Sequence, residues 1–129
     1  MQSIHFDIKD KSFHAISCGD PKNPLLLFLH GFPEYCDAWA AVLPFFANTH
    51  YCVAPDQRGY GKSWRGGDVG DYATKHLAAD VLAMIKMFGN GKAAALVGHD
   101  WGASVAYACA MRAPEMLDKL VIINGVHPA

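Results

Sequence analysis

Four short apolar runs, separated by helical patterns, constrain the fold of this 129-residue chain more than any other feature. Each run is apolar on both of its faces, which is typical of parallel strands that are covered on both sides. The four runs are Leu25–His30, Tyr51–Pro55, Ala94–Val97 and Leu120–Val126. Upstream of them, Ile4–Ile8 and Phe13–Cys18 alternate loosely about Lys9-Asp10-Lys11, and this pattern predicts a hairpin.

Three helical patterns lie between the runs. Thr74–Phe88 carries one apolar stripe with its charged residues on the opposite side, which predicts an amphipathic helix. Asp37–Ala47 predicts a helix limited or kinked by Pro44, and Ala103–Arg112 predicts a helix that ends before Pro114. The stripe is Leu77, Val81, Met84, Ile85 and Phe88, and the residues expected to face away from it are Lys75, Asp80 and Lys86.

The order of these elements, β-β-β-α-β-α-β-α-β, predicts the α/β class. We expect a doubly wound, mostly parallel sheet of about six strands with right-handed crossovers, in one domain that covers residues 1–129. The glycine-rich stretch Asp56–Tyr72 is predicted to be a surface loop at the carboxyl end of its strand. Proteins of the α/β class place their sites at that end of the sheet.

Composition and charge exclude several classes of partner. The chain is 52% hydrophobic and 18% charged with a formal net charge of −1, so nothing predicts binding to nucleic acid or to an anionic membrane. Its apolar runs are far too short to span a bilayer. The N-terminus lacks the layout of a signal peptide, and the four cysteines show no CxxC spacing. We therefore expect reduced, mostly buried thiols and a cytoplasmic location.

A carboxylate stands at the junction between a predicted strand and a predicted helix, in Gly98-His99-Asp100-Trp101-Gly102. The form G-x-D-x-G has the spacing of a nucleophile elbow, a strained turn that exposes its central residue at a helix N-terminus. Backbone N–H groups and the helix dipole stabilise an anion there, so Asp100 is the candidate nucleophile. The alternative is that Asp100 only caps the helix.

Two further motifs follow predicted strands. His30-Gly31-Phe32-Pro33-Glu34 is expected to lie beside the elbow, so that the backbone N–H groups of Phe32 and Trp101 form an anion hole; alone, it would be only a Gly-Pro turn. Asp56-Gln57-Arg58-Gly59-Tyr60-Gly61-Lys62-Ser63 is interpreted as a glycine-rich turn with a structural Asp–Arg pair. Its spacing matches no nucleotide-binding motif, so no cofactor is predicted.

Three motifs in this order and spacing, HGFPE, APDQRGYGKS and GHDWGA, resemble those of the α/β-hydrolase superfamily. Within it they most resemble the epoxide hydrolases, and slightly less the haloalkane and fluoroacetate dehalogenases, and LVIINGVHPA resembles their sixth core strand. The resemblance implies the strand order 1-2-4-3-5-6-7-8, Asp100 as the nucleophile, and Phe32 and Trp101 as donors of the anion hole. It also implies that the Trp101 indole lines the substrate pocket.

Members of that superfamily continue into a helical cap, two more core strands, an acid and a late His that activates water. This sequence reaches its last residue at His127-Pro128-Ala129. We therefore expect a truncated core, the N-terminal half of the fold, with no cap domain and without the late base. His30, His99 and His127 are the histidines closest to the predicted site, and a structural role is favoured for each. A metal set of His30, His99 and Asp100 is disfavoured, and no metal is predicted.

Three functions are compatible with these residues. The first is a half-size hydrolase in which Asp100 attacks a small apolar epoxide, an alkyl halide or an activated ester. The second is a catalytically inactive α/β module, and the third is a subunit completed by another chain. The last strand, Leu120–Val126, is an apolar sheet edge. A homodimer is predicted either through this edge or through uncovered sheet faces.

Overall fold

The computed structural model describes residues 1–125 and contains six strands and two α-helices. The strands are β1 Gln2–Ile8, β2 Lys11–Cys18, β3 Leu25–Leu29, β4 Tyr51–Pro55, β5 Ala93–His99 and β6 Leu120–Ile123. The helices are α1 Thr74–Gly89 and α2 Trp101–Arg112. His127 and the last residue of the sixth predicted strand, Val126, lie outside the described residues.

All six strands form one sheet in the order β1-β2-β4-β3-β5-β6. β1, β2 and β4 pair antiparallel, whereas β4, β3, β5 and β6 pair parallel. This arrangement confirms the predicted hairpin, the mostly parallel sheet and the first six positions of the strand order. β3 and β5 are direct neighbours, with Leu29 opposite Gly98. The motifs that follow these two strands therefore lie side by side.

The two faces of the sheet are covered by different kinds of structure. Helices α1 and α2 pack on one face, where Leu27, Met84 and Val105 belong to one buried cluster. On the other face, Phe28, Trp39 and Leu43 belong to a second cluster. The central strands β3, β4 and β5 are thus buried from both sides, which explains why they read as continuous apolar runs.

The helix predicted over Asp37–Ala47 is wrong. The structure has two short 3₁₀ segments there, Cys36–Trp39 and Leu43–Phe45. Pro44 stands at the start of the second segment. It has no N–H to donate, and in an α-helix its ring would collide with the carbonyl four residues earlier. The chain therefore covers this face in tight turns rather than as one helix.

Two elements end at positions different from the predicted ones, and in each case the residue that follows has a left-handed backbone conformation. Asn90, with φ +54°, ends α1 one residue later than predicted. Asn124, also at φ +54°, follows β6, which ends at Ile123. Asparagine tolerates this conformation better than most residues. At the start of α2, helical backbone begins at Trp101, two residues earlier than predicted.

The predicted Asp–Arg pair in the glycine-rich loop is also wrong. Arg58 instead donates two hydrogen bonds to Asp80 of α1, at 2.6 and 2.8 Å, while Asp56 pairs with His14. Asp80 was expected on the solvent side of α1, but its side chain is 8% exposed. A planar guanidinium matches a carboxylate in two parallel bonds, and this pairing permits Asp80 to be buried.

Neither α-helix of residues 1–125 is long and apolar enough to cross a membrane. All four cysteines are free thiols, three of them buried and Cys18 half-buried, as predicted.

The Arg58–Asp80 pair yields a stability test. Replacing Arg58 by Met leaves Asp80 buried without its partner, so we expect the free energy of unfolding to fall by about 3–5 kcal/mol in urea denaturation. The matched control is Lys92→Met, because Lys92 and Asp118 form a pair whose side chains are 57% and 54% exposed. That exchange should cost about 0–1 kcal/mol. Equal losses in the two variants would contradict this view of the loop.

Candidate active site

Asp100 stands alone between the end of β5 at His99 and the start of α2 at Trp101, with φ +58° and ψ −120°. This backbone conformation is strained for a residue with a side chain, and such strain is common at functional turns. The turn also needs Gly102, because a Cβ at that position would collide with the backbone carbonyls of Leu29 and His30. The structure therefore contains the tight strand-to-helix turn that the G-x-D-x-G spacing predicts.

The side chain of Asp100 points across to the loop after β3. The backbone N–H of Phe32 donates to Asp100 Oδ2 at 3.1 Å, and the carboxylate is exposed to solvent. The N–H groups of Phe32 and Trp101 hold the pKa of Asp100 below its usual value. Asp100 makes no side-chain capping hydrogen bond to α2. The carboxylate is therefore ionised and is oriented by Phe32, and it does not act as a side-chain cap for the helix.

Glu34 connects the loop after β3 to the end of β5. No role was predicted for this residue of the HGFPE motif. Its Oε1 accepts the N–H of Gly31 at 2.9 Å and lies 3.1 Å from His99 Nδ1. The Gly31 N–H, followed by the contact with His99, lowers the pKa of Glu34 against the opposing effect of burial. The imidazole of His99 therefore contacts the Glu34 carboxylate. No spacing rule signals such a contact between residues 65 positions apart.

His30 has the structural role that was favoured for it. Its Nδ1 lies 2.9 Å from the Gly31 carbonyl, and its Nε2 accepts the N–H of Gln57 at 3.1 Å. Burial lowers the pKa of His30, so the ring is neutral at neutral pH. With both nitrogens occupied, His30 joins the ends of β3 and β4. These contacts do not support a metal site formed by His30, His99 and Asp100, because His30 is hydrogen-bonded to Gln57 and His99 contacts Glu34.

A cavity of about 390 Å³ opens beside the elbow. Trp101, whose indole was predicted to line the substrate pocket, is one of the residues that line this cavity, and Phe32 is another. Tyr60 also faces this cavity, and burial together with the charge of Asp100 raises its pKa, so the phenol stays protonated. The remaining walls include apolar side chains of both helices, such as Leu77 and Val105. Cavities of this size and apolar character accept small organic ligands.

The arrangement joins an exposed, ionised carboxylate, backbone N–H donors and an apolar cavity at the carboxyl ends of β3 and β5. Comparison with known proteins agrees with this reading of the fold. The family described as "alpha/beta hydrolase fold" matches residues 24–129. The chain belongs to the α/β-hydrolase family and corresponds to the N-terminal part of that fold.

Its relatives include epoxide hydrolases. The chain is 39% identical over 126 residues to epoxide hydrolase 1 of Caenorhabditis elegans, covering 98% of this chain and 31% of the relative. It is 40% identical over 124 residues to epoxide hydrolase 4 of Mus musculus, covering 95% of this chain and 34% of the relative. A solved epoxide hydrolase from metagenomes of hot environments superposes with a TM-score of 0.93 at 31% identity. That match covers 99% of this chain and 43% of the other.

The chain therefore spans about a third of the length of the curated relatives it matches. For this chain, the activity of those whole enzymes can only be proposed.

Gly31 provides a test of the contact that orients Asp100. A Cβ at position 31 would collide with the Asp100 side chain, so Gly31→Ala must push the Phe32 N–H away from Oδ2. We expect the pKa of Asp100 to rise toward its ordinary value, measured by NMR titration of its carboxyl carbon. Gly70→Ala is the control, because a Cβ at position 70 meets open space. An Asp100 pKa that stays equal in both variants would exclude Phe32 as the main cause of the shift.

Proposed function

We propose that Asp100 is a nucleophile and that the protein is an α/β-fold hydrolase acting on epoxides, alkyl halides or activated esters. An epoxide or alkyl halide forms a covalent ester on this carboxylate, whereas an activated ester forms a mixed anhydride and releases its alcohol. The observation that carries the proposal is the hydrogen bond from the Phe32 N–H to Oδ2. It orients an ionised, exposed carboxylate at a strained turn beside an apolar cavity. A carboxylate that merely capped α2 would need none of these features.

The chemistry follows from the two oxygens of this carboxylate. One oxygen attacks a carbon of the epoxide, and the carbon–oxygen bond breaks with its electron pair moving to the ring oxygen, which takes a proton from solvent. With an alkyl halide, the halide leaves instead. Oδ2, held by Phe32, becomes the carbonyl oxygen of the new ester. Negative charge builds on that oxygen when water attacks the ester, and the N–H groups of Phe32 and Trp101 are the donors that stabilise it.

Hydrolysis of the ester needs a group that takes a proton from the attacking water. Among residues 1–125, the histidines nearest the elbow are His30 and His99, and their contacts bind them to Gln57 and Glu34. We therefore infer that this chain forms the ester faster than it hydrolyses it. The substrate class is proposed from the apolar cavity and from the names of the relatives, which are epoxide hydrolases. A cytoplasmic location is proposed as well, since free thiols suit a reducing compartment.

Intact-protein mass spectrometry after incubation with a small epoxide or alkyl halide tests the nucleophile. We expect one adduct per chain, mapped to Asp100, and no adduct on Asp100→Asn. Because the pKa of Asp100 is lowered, the carboxylate remains ionised as the pH falls. The labelling rate should therefore stay constant from neutral pH down to about 4 and decline only below the ordinary range of an aspartate.

The controls separate the competing functions. Product in excess of protein would show that a base is supplied and that turnover occurs. Labelling that persists in Asp100→Asn, or its absence from the unchanged protein, would favour the inactive module, in which the elbow only joins strand to helix. Turnover that appears only on addition of a second chain would favour a subunit of a larger hydrolase.

We also propose a homodimer, formed by antiparallel pairing of β6 with its copy. β6 is the last strand of the sheet, and no described residue pairs with its outer edge. Its Val121 and Ile123 are 41% and 40% exposed, and apolar edges of this kind favour pairing with another chain. Packing through uncovered sheet faces is the alternative, although the described residues cover both faces of the central strands β3 and β4.

Analytical ultracentrifugation tests the dimer. We expect twice the chain mass of 14.0 kDa at micromolar concentration, and a monomer for Val121→Lys, because a charge on the edge opposes pairing. Met111→Lys is the matched control, since Met111 is an exposed apolar side chain on α2. A monomer for the unchanged protein would refute the dimer, and a dimer in all three proteins would move the interface away from β6.

A further inference from the structure

A chain of hydrogen bonds joins Ser3, His14 and Asp56 near the opposite edge of the sheet from β6. Ser3 Oγ lies 2.6 Å from His14 Nε2, and His14 Nδ1 lies 2.8 Å from Asp56 Oδ2. Three elements contribute, because Ser3 is in β1, His14 in β2 and Asp56 directly after β4. The connectivity is that of a nucleophile, a base and an orienting carboxylate, an arrangement recognised by geometry rather than by sequence position.

The protonation states follow from the surroundings of Asp56. Burial opposes the ionisation of Asp56, but the backbone N–H groups of Lys62 and Cys36 donate to it at 3.0 and 2.8 Å. These bonds prevail and hold the pKa of Asp56 below its usual value. An ionised carboxylate can only accept hydrogen bonds, so His14 Nδ1 carries the proton. In the neutral imidazole, Nε2 is then the acceptor and the Ser3 hydroxyl donates to it.

The relay is held rigidly. His14 and Asp56 are 4% and 1% exposed. The His14 backbone N–H donates to Ser63 Oγ at 3.0 Å, and the Ser63 hydroxyl donates to the Asp56 carbonyl at 2.6 Å. These contacts fasten the glycine-rich loop to the hairpin and fix the imidazole between its two partners. A base whose orientation is set by packing requires little reorganisation during a reaction.

The same region could be interpreted as a metal site, since side-chain atoms of His14, Cys36 and Asp56 lie within 4.8 Å of one another. Two observations favour the relay instead. The carboxylate oxygens of Asp56 already accept two backbone N–H groups and the imidazole. Burial, followed by the contact with Asp56, raises the pKa of the Cys36 thiol to about 12, so loss of its proton to form a metal-binding thiolate is costly.

Ser3 is the member of the relay that solvent can reach. Its side chain is exposed, and β1 is an edge strand whose outer side has no partner among residues 1–125. The outer edge of β1 therefore presents backbone N–H groups that no described residue accepts through strand pairing. β3 lies between β4, which leads to Asp56, and β5, which leads to Asp100. The relay is therefore a separate site with its own nucleophile.

We propose that Ser3 is a second nucleophile, activated by His14 and oriented by Asp56, which accepts acyl groups from small activated esters. Ser3 Oγ attacks the ester carbonyl carbon while its proton passes to His14 Nε2. The ester carbon–oxygen bond then breaks, the electron pair leaves with the alcohol oxygen, and His14 returns the proton to that oxygen. Ser3 carries the acyl group as an ester, which water hydrolyses by the reverse sequence. Ser3 is exposed to solvent, so we expect esters with reactive leaving groups, such as p-nitrophenolate, to be the ones that react.

The test is incubation of Asp100→Asn protein with p-nitrophenyl acetate, followed by peptide mapping. The Asp100→Asn background removes the nucleophile of the proposed hydrolase site, so the two proposals succeed or fail separately. We expect a burst of one p-nitrophenolate per chain before the ester is hydrolysed, and one acetyl group on Ser3 in protein quenched during that burst. Adding Ser3→Ala should remove both, and adding His14→Asn should slow the release by about 100-fold or more, since general-base assistance is lost.

Ser12→Ala is the matched control, because Ser12 is an exposed serine of the same hairpin whose hydroxyl donates to Asp7 rather than to an imidazole. It should acetylate at the rate of its parent. Acetyl groups on the Met1 amine or on lysines, with an unchanged rate in Ser3→Ala, would overturn the proposal and leave the relay as a structural link. If His14→Asn does not fold, the comparison of Ser3→Ala with Ser12→Ala still decides between the two outcomes.

Discussion

The parallel pairing of β3 with β5 is the constraint on which the candidate site depends. It places Leu29 opposite Gly98, so the segments that follow β3 and β5 leave the sheet at the same level. The loop that carries the Phe32 N–H and the turn that carries Asp100 then meet at 3.1 Å. Neither segment could hold this geometry alone, since the contact joins residues 68 positions apart. The close approach also requires small residues at Gly31 and Gly102, where a Cβ would collide.

Buried polar contacts organise the region around that pairing. His30 joins the ends of β3 and β4 through Gln57, and Arg58 reaches Asp80 on α1. Such groups lose hydration on burial, and well-formed hydrogen bonds offset that loss. Their directionality gives the glycine-rich loop a defined path that apolar packing alone would not specify. His30, Gln57 and Arg58 line the cavity beside Asp100, so the shape of its wall depends on these polar contacts.

Periodicity predicted much of the fold, and its failures have identifiable causes. Continuous apolar runs identified β3, β4 and β5 because these strands are covered on both faces, and they identified β6 although alternate residues of that strand are exposed. The pattern over Asp37–Ala47 predicted a helix that does not form, because Pro44 prevents the helix that the apolar spacing favours. Asp80 was wrongly predicted to face solvent, since its burial depends on Arg58, which lies 22 residues away in the sequence. Local patterns report which residues prefer burial, but they do not report the partner that makes burial of a charge possible.

The sequence by itself determined the α/β class, the order of the six strands and the two α-helices, and the position of Asp100 at a strand-to-helix turn. These follow from local rules: alternation, helical period, and glycines spaced about one carboxylate. Only the tertiary structure decided that the Asp100 carboxylate accepts the Phe32 N–H, that Glu34 joins Gly31 to His99, and that His14 lies between Ser3 and Asp56. Each of these contacts joins separate segments of the chain. The register of the sheet and the packing of loops set their distances, and neither is encoded in a local pattern.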